Sequence, residues 1–241
     1  MSLTEQIYKG QYEYFRNGNT YAQENFSVYK ADQPANFIYS SEILSRVSTG
    51  EFLKIYVDYE VTPLFDPINI KIRKSLGEQS SKETYNVNYQ NKNVLYSFVN
   101  SEGEKQTYEK VINGKFQITT PSFLTSLLIT QNKKVDNIGR TQYLVINSNN
   151  EWKYENPFEE KFFYLETRSN DNKELTIGIN KLVSSVYYLY EKDVGQDKNE
   201  QPIVYYQSRN IGIPYKAILN DGLEIRIKQL KVTETNYKGM F

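Results

Sequence analysis

The sequence predicts an all-β fold: a large, strongly curved antiparallel sheet, either a spiral β-roll or an open barrel, with one or a few short helices. Three observations predict it. Polar and apolar residues alternate with period two along much of the chain, Asn-Gly and Asp-Gly dipeptides punctuate the runs, and β-branched and aromatic residues dominate them. Strands with one dry and one wet face belong to antiparallel sheets, because the strands of a parallel α/β core are buried on both sides.

Taken in order, Tyr12-Glu13-Tyr14-Phe15 runs into Asn17-Gly18, a dipeptide that accepts the positive φ of a two-residue hairpin turn. Residues 26–29 and 38–47 read as the next strands. In Lys54-Ile55-Tyr56-Val57-Asp58-Tyr59-Glu60-Val61 the odd positions are apolar or aromatic, and Ile68-Asn69-Ile70-Lys71-Ile72-Arg73 alternates without a break. Residues 74–82 are polar and read as a surface loop. Strands are expected at 84–89 and 94–99, the second closed by Glu102-Gly103. Asn113-Gly114 then predicts a hairpin between 108–112 and 115–118. Windows 141–146, 162–167, 174–179, 183–190 and 203–207 carry the same β-branched and aromatic signature. Asp221-Gly222 joins 215–219 to Leu223-Glu224-Ile225-Arg226-Ile227-Lys228. The polar stretches 147–151, 169–173 and 193–201 read as loops.

One segment breaks the pattern. Pro121-Ser122-Phe123-Leu124-Thr125-Ser126-Leu127-Leu128-Ile129 places Phe123, Leu124, Leu127 and Leu128 on one helical stripe, with Thr120 as a cap and Pro121 at the first helical position. A short helix lying across the sheet is one reading and a further strand is the other. About sixteen short strands exceed an immunoglobulin-sized sandwich. Residues 1–241 are therefore expected to form a single β-rich domain, with two pseudo-halves meeting near 110–120.

Composition narrows function. The chain has 22 Tyr and 12 Phe but no His and no Cys, so a Ser-His-Asp triad, an HExxH zinc site, thiolate metal sites and disulfides are excluded within it. No phosphate loop or dinucleotide fingerprint is present, and no cofactor, metal or catalytic residue is expected. Asp58, Glu60 and Asp66 form an acidic group, but two carboxylates on the wet face of a strand are ordinary solvated surface. Asp193, Asp197 and Glu200 share a loop that Lys192 and Lys198 neutralise, which does not suit calcium. Lys+Arg and Asp+Glu both number 29, which argues against nucleic acid as partner. Met1-Ser2-Leu3-Thr4-Glu5-Gln6 lacks the form of a secretory signal, and no run is long and apolar enough for a transmembrane helix. A removed export signal would imply the periplasm or cell envelope; otherwise the cytoplasm is expected.

The aromatic surplus carries the functional expectation. Tyr187-Tyr188-Leu189-Tyr190, Phe162-Phe163-Tyr164 and Tyr205-Tyr206 put rings on both sides of their strands, so both faces need a flat or apolar neighbour. One neighbour is the core; the other is a second layer, a ligand or a partner. Tyr56, Tyr164, Tyr188, Tyr190 and Tyr206 are the candidate ligand-binding rings, since a tyrosine offers apolar area and a hydroxyl together. Arg46 and Arg140 are the candidates for an anionic head group, with Arg168 and Arg209 as weaker versions. Trp152 and Tyr154, with Lys153, are the candidates for stacking on sugars or bases, although a lone tryptophan also serves as an anchor between layers.

Several pieces together resemble the bacterial spiral β-roll family described as glycolipid-binding, and more distantly the lipoprotein-carrier half-barrels. They are the Asn17-Gly18 hairpin, the strand holding Glu42 and Arg46, Gly50-Glu51-Phe52-Leu53 leading into Tyr56-Val57-Asp58-Tyr59, the Pro67 turn, and Phe116-Gln117-Ile118-Thr119-Thr120-Pro121-Ser122. The resemblance covers residues 8–130 and, loosely, the remainder. It implies a curved antiparallel sheet with an acyl chain or glycolipid on its concave side, and carries over no catalytic residue. The expected function is noncatalytic binding of a lipid-like or other amphipathic ligand in a sheet concavity at the bacterial envelope. The alternative is a structural or protein–protein interaction domain with an exposed aromatic face. An enzyme would need a buried carboxylate pair in a cleft.

Overall fold

A computed structural model describes residues 4–32, 34–132, 138–169, 172–191, 201–208, 211–219 and 222–233. Sixteen strands form one sheet. They are β1 (Thr4–Arg16), β2 (Asn19–Ala31), β3 (Phe37–Arg46), β4 (Phe52–Val61), β5 (Pro67–Leu76), β6 (Gln79–Asn88), β7 (Asn93–Asn100), β8 (Lys105–Val111), β9 (Phe116–Ile118), β10 (Gly139–Asn147), β11 (Glu159–Thr167), β12 (Lys173–Ile177), β13 (Asn180–Glu191), β14 (Ile203–Ser208), β15 (Pro214–Ile218) and β16 (Leu223–Val232). The chain begins in the middle of the sheet and meanders outward from β1 to β8. It reappears at the opposite edge as β9, which pairs in parallel with β10, and returns through β11, β13, β14, β15 and β16 to the free side of β1. β12 is a side branch on β13.

This order dictates curvature. Fifteen strands lie on the path from β8 to β9, so a flat sheet would hold those edges about 67 Å apart at about 4.8 Å per strand. Residues 112–115 are the whole connection between them, and five extended peptide steps reach only about 17 Å. The sheet therefore curls until its two ends meet, and one end tucks against the inner face of the other.

The inner face is lined with tyrosine. Val28, Tyr39, Tyr59, Ile70, Tyr85, Tyr96 and Tyr108 are successive cross-strand partners from β2 to β8, and all but Tyr108 are fully buried. Phe158, just before β11, sits 6.3, 6.1 and 5.2 Å from the rings of Tyr85, Tyr96 and Tyr108. The Ile118 amide of β9 donates to the Tyr59 hydroxyl at 3.1 Å. On the returning strands Leu165, Tyr187, Tyr205, Ala217 and Ile225 point into the same core, as do Tyr12 and Tyr14 of β1. Burial pushes the Tyr205 phenol up to about 12, so it stays neutral at physiological pH.

Two carboxylates are buried in this lining, each with partners. Glu24 of β2 accepts from the Tyr14 hydroxyl at 2.5 Å, the Phe123 amide at 3.0 Å and the Ser122 hydroxyl. It thus caps, from another element, the 3-10 turn Phe123–Thr125, whose own N-cap Ser122 makes no side-chain cap. Glu83 of β6 meets Lys74 at 2.9 Å and the Tyr96 hydroxyl at 3.0 Å.

Three expectations need correction. Residues 74–82 are a β5–β6 hairpin, not a loop: they are polar but pair across the turn, with Lys74 opposite Ser81 on the inner side, where Lys74 meets Glu83. Asn113-Gly114 does not close a hairpin, because β8 pairs with β7 and β9 with β10; Gly114 keeps a positive φ inside the crossing. The helical stripe at 121–129 is two 3-10 turns, Phe123–Thr125 and Leu128–Asn132, which still bury Phe123, Leu124, Leu127 and Leu128. The Asn17-Gly18 turn and the β7–β8 turn at Gly103 are as expected. Met1-Ser2-Leu3, residues 192–200 with the acidic loop, Arg209 and Asp221 lie outside the described residues.

Glu24→Ala would strand several buried donors and is expected to destabilise the fold by roughly 3 kcal/mol, measured by urea unfolding. Burial also raises the Glu24 carboxyl above its ordinary value, against the pull of its donors. The native state then holds that proton to higher pH than the unfolded chain, so its contribution falls as pH rises above the ordinary carboxyl range. Glu24→Gln, which cannot ionise, should gain stability relative to wild type between acid and neutral pH. A constant difference across that range would contradict the assignment.

Candidate binding face

Strand alternation sorts the second-half aromatics into two sets. Tyr187 and Tyr205 point inward, while Tyr164, Tyr188, Tyr190 and Tyr206 are half-buried on the outer face. Register then assembles a row: Arg140 of β10 opposes Glu166 of β11, which opposes Tyr188 of β13, followed by Val204 of β14 and Ile218 of β15. The adjacent row is Gln142, Tyr164 and Tyr190.

At one end of these rows two guanidiniums share one carboxylate. Arg140 Nη2 donates to Glu166 Oε2 at 3.1 Å, and Arg168 Nε donates to Glu166 Oε1 at 2.6 Å. The Arg140 guanidinium lies 4.7 Å from the Tyr190 ring centre and 5.5 Å from that of Tyr164, and the Arg168 guanidinium lies 3.9 Å over Tyr188. Arg168 Nη2 also donates to the Tyr190 hydroxyl at 2.7 Å. The group carries two positive charges and one negative. Its cations are oriented in advance by ring faces, which attract them through the aromatic quadrupole. Beyond it runs an apolar stripe of Tyr188, Val204 and Ile218, flanked by Val186 and Tyr206; Ile218 is 39% exposed.

All seven candidate residues face outward, and four of them, Arg140, Tyr164, Tyr188 and Tyr190, come together. Tyr206 shares their face one row away, opposite Lys216. Tyr56 lies on the outer face of β4, donates to Glu42 at 2.8 Å and carries Arg73 5.2 Å over its ring, beside a shallow concavity of about 250 Å³. Arg46 ends β3, exposed, and lines none of these places. Glu166, which sequence reading passed over, is the pivot. Its i, i+2 relation to Arg168 puts both on one face, but only register with β10 supplies Arg140.

Three further concavities open on the molecule. A concavity of about 480 Å³ opens at the seam where β8 meets β10 and β11, bridged by Lys110 and Glu160 at 2.7 Å. Another of about 390 Å³ lies over Gly10, where any Cβ would meet the Gln229 carbonyl at 2.3 Å and the Phe26 ring at 2.5 Å. A third, of about 420 Å³, lies beside Trp152 and Tyr154.

The fold has a known counterpart. The chain is similar to a solved β-barrel-like protein of the domain of unknown function DUF1849 from Brucella abortus, with a TM-score of 0.54 over 95% of this chain and 99% of that one. The fold is β-barrel-like. Sequence identity is 8%, so the likeness is one of fold alone. No protein-family model matches the chain, and no curated protein matches it.

Partial desolvation pushes the Glu166 carboxyl up, but the hydrogen bonds and charges of Arg168 and Arg140 outweigh it and hold the group below its ordinary value. A depressed carboxyl adds stability above its unfolded pKa and loses it as pH falls through the folded value. Glu166→Gln should therefore lose less stability than wild type on acidification from neutral to about pH 3, compared by urea midpoints. Equal losses would mean that the three charges are not coupled.

Proposed function

We propose that this chain is a noncatalytic binding protein that takes an amphipathic, lipid-like ligand with an anionic head on the outer face of β10, β11, β13, β14 and β15. The observation that carries this reading is the polarity of that face: two preoriented guanidiniums at one end and the Tyr188, Val204 and Ile218 stripe leading away from them. Arg140 and Arg168 would bind the head group, and Tyr164 and Tyr190 would flank it. The tail would gain about 25 cal/mol for each Å² of apolar surface it covers. A ligand enclosed in the roll is less well supported, because the inward residues already pack on one another. A protein partner is the second reading. It is favoured by the openness of the face, which leaves one side of a lone tail in water, and by the union of Tyr and Arg that marks interface hot spots.

Sedimentation with lipid vesicles separates the two. The full chain is expected to sediment with phosphatidylglycerol vesicles and far less with phosphatidylcholine vesicles, and Arg140→Ala and Ile218→Asn should each weaken this by about tenfold. If the wild-type chain sediments with neither, or if both variants bind as wild type does, the lipid reading fails.

A further inference from the structure

A second place on the molecule has the composition of a ligand site, independent of the outer face. The segment 148–158 packs on Tyr85 of β6, Tyr96 of β7 and Tyr108 of β8 and reaches the β7–β8 turn at one mouth of the roll, and Asn150, fully buried, holds it. The Asn150 side-chain amide donates to the Tyr96 hydroxyl at 2.9 Å and to the Asn156 carbonyl at 2.8 Å, and its oxygen accepts from the Glu155 amide at 2.8 Å. Lys74, already paired with Glu83, donates to the Asn150 carbonyl at 2.8 Å. This loop is thus pinned to the core by a buried polar network, a costly arrangement that fixes whatever the loop carries.

What it carries is Trp152, Lys153 and Tyr154. Tyr154 leans on Phe98 of the core, 6.2 Å between ring centres, and Trp152 is half-buried beside it. Both residues line the 420 Å³ concavity, together with Gln79 at the start of β6, Glu102 in the β7–β8 turn and Gln106 of β8. Its volume lies within the range of small-molecule pockets, about 300–1,000 Å³. Among the described residues, the Trp152 indole N–H, the Gln79 and Gln106 amides, the Glu102 carboxylate and the Lys153 ammonium have no side-chain hydrogen-bond partner. The turn itself is satisfied separately, by Asn100 accepting from the Glu102 and Glu104 amides.

We propose that this mouth is a carbohydrate site for one or two pyranose rings. A pyranose has an apolar C–H face and a rim of hydroxyls, each both a donor and an acceptor. The wall of fixed aromatic rings matches the face. The free rim groups match the hydroxyls, because they mix donors (Trp152, Lys153, both glutamines) with acceptors (Glu102 and the glutamine oxygens). An organic cation would call for acceptors and rings alone, and an acyl chain would leave every one of these polar groups unpaired.

The chain contains one tryptophan, so its emission reports on this loop alone. The full chain would be probed on a glycan array, and then titrated with cellobiose, maltose, lactose, chitobiose and the best array ligand, following both tryptophan emission and heat. The expected result is a saturable emission change for at least one of them at millimolar concentration. Gln106→Ala and Glu102→Gln, both exposed, should each weaken it by about tenfold. Trp152→Ala should abolish the heat signal; if that variant does not fold, the two exposed substitutions decide alone. A blank array with silent titrations overturns the proposal, as does binding that Gln106→Ala and Glu102→Gln leave unchanged.

Discussion

The connection between β8 and β9 is four residues long, and it joins the two ends of a sheet that would otherwise be far wider than that link can reach. Everything else in the structure is arranged around this closure. It forces curvature, curvature creates an interior, and the interior must be filled by whatever the inward positions carry. Here those positions carry phenol rings, whose large area compensates for a modest apolar fraction, while hydroxyls such as those of Tyr14 and Tyr96 find carboxylate acceptors inside.

A core built from tyrosine needs internal polar partners, and the buried groups supply them. Glu24 gathers a phenol, a serine and a backbone amide into one cluster that fixes the 3-10 segment to β1 and β2. Glu83, Lys74 and Asn150 do the same at the opposite part of the roll, binding the 148–158 loop to β5, β6 and β7. Each cluster joins segments far apart in sequence, and a one-residue register slip would turn every one of these groups to the wrong face. The polar core therefore specifies register as well as filling space.

A filled interior leaves both proposed sites on the surface. The outer face joins cations to an apolar stripe, whereas the mouth beside Trp152 joins rings to uncommitted amides. The first is the face proposed for an amphipathic, charged ligand, the second the one proposed for a neutral, hydroxylated ligand. Their separation in the fold means that occupying one does not require the other.

Much of this was legible in the chain. Period-two alternation, hairpin dipeptides and β-branched and aromatic content determined an all-β, curved antiparallel architecture, and paired aromatics such as Tyr187-Tyr188 determined that rings would face both ways. The turn-proximal part of the β5–β6 hairpin, 74–82, was hidden because it is polar, with Glu83 next to it buried through Lys74 across the turn and the Tyr96 hydroxyl. The Asn113-Gly114 link was misleading because a dipeptide encodes a local bend and not which strands will pair. Tertiary structure alone decided which face became the interior, and that Arg140, 26 residues before Glu166, would share a carboxylate with Arg168. Alternation fixes which side chains are neighbours on a strand, but only the order of strands in the closed sheet fixes which neighbours meet across it.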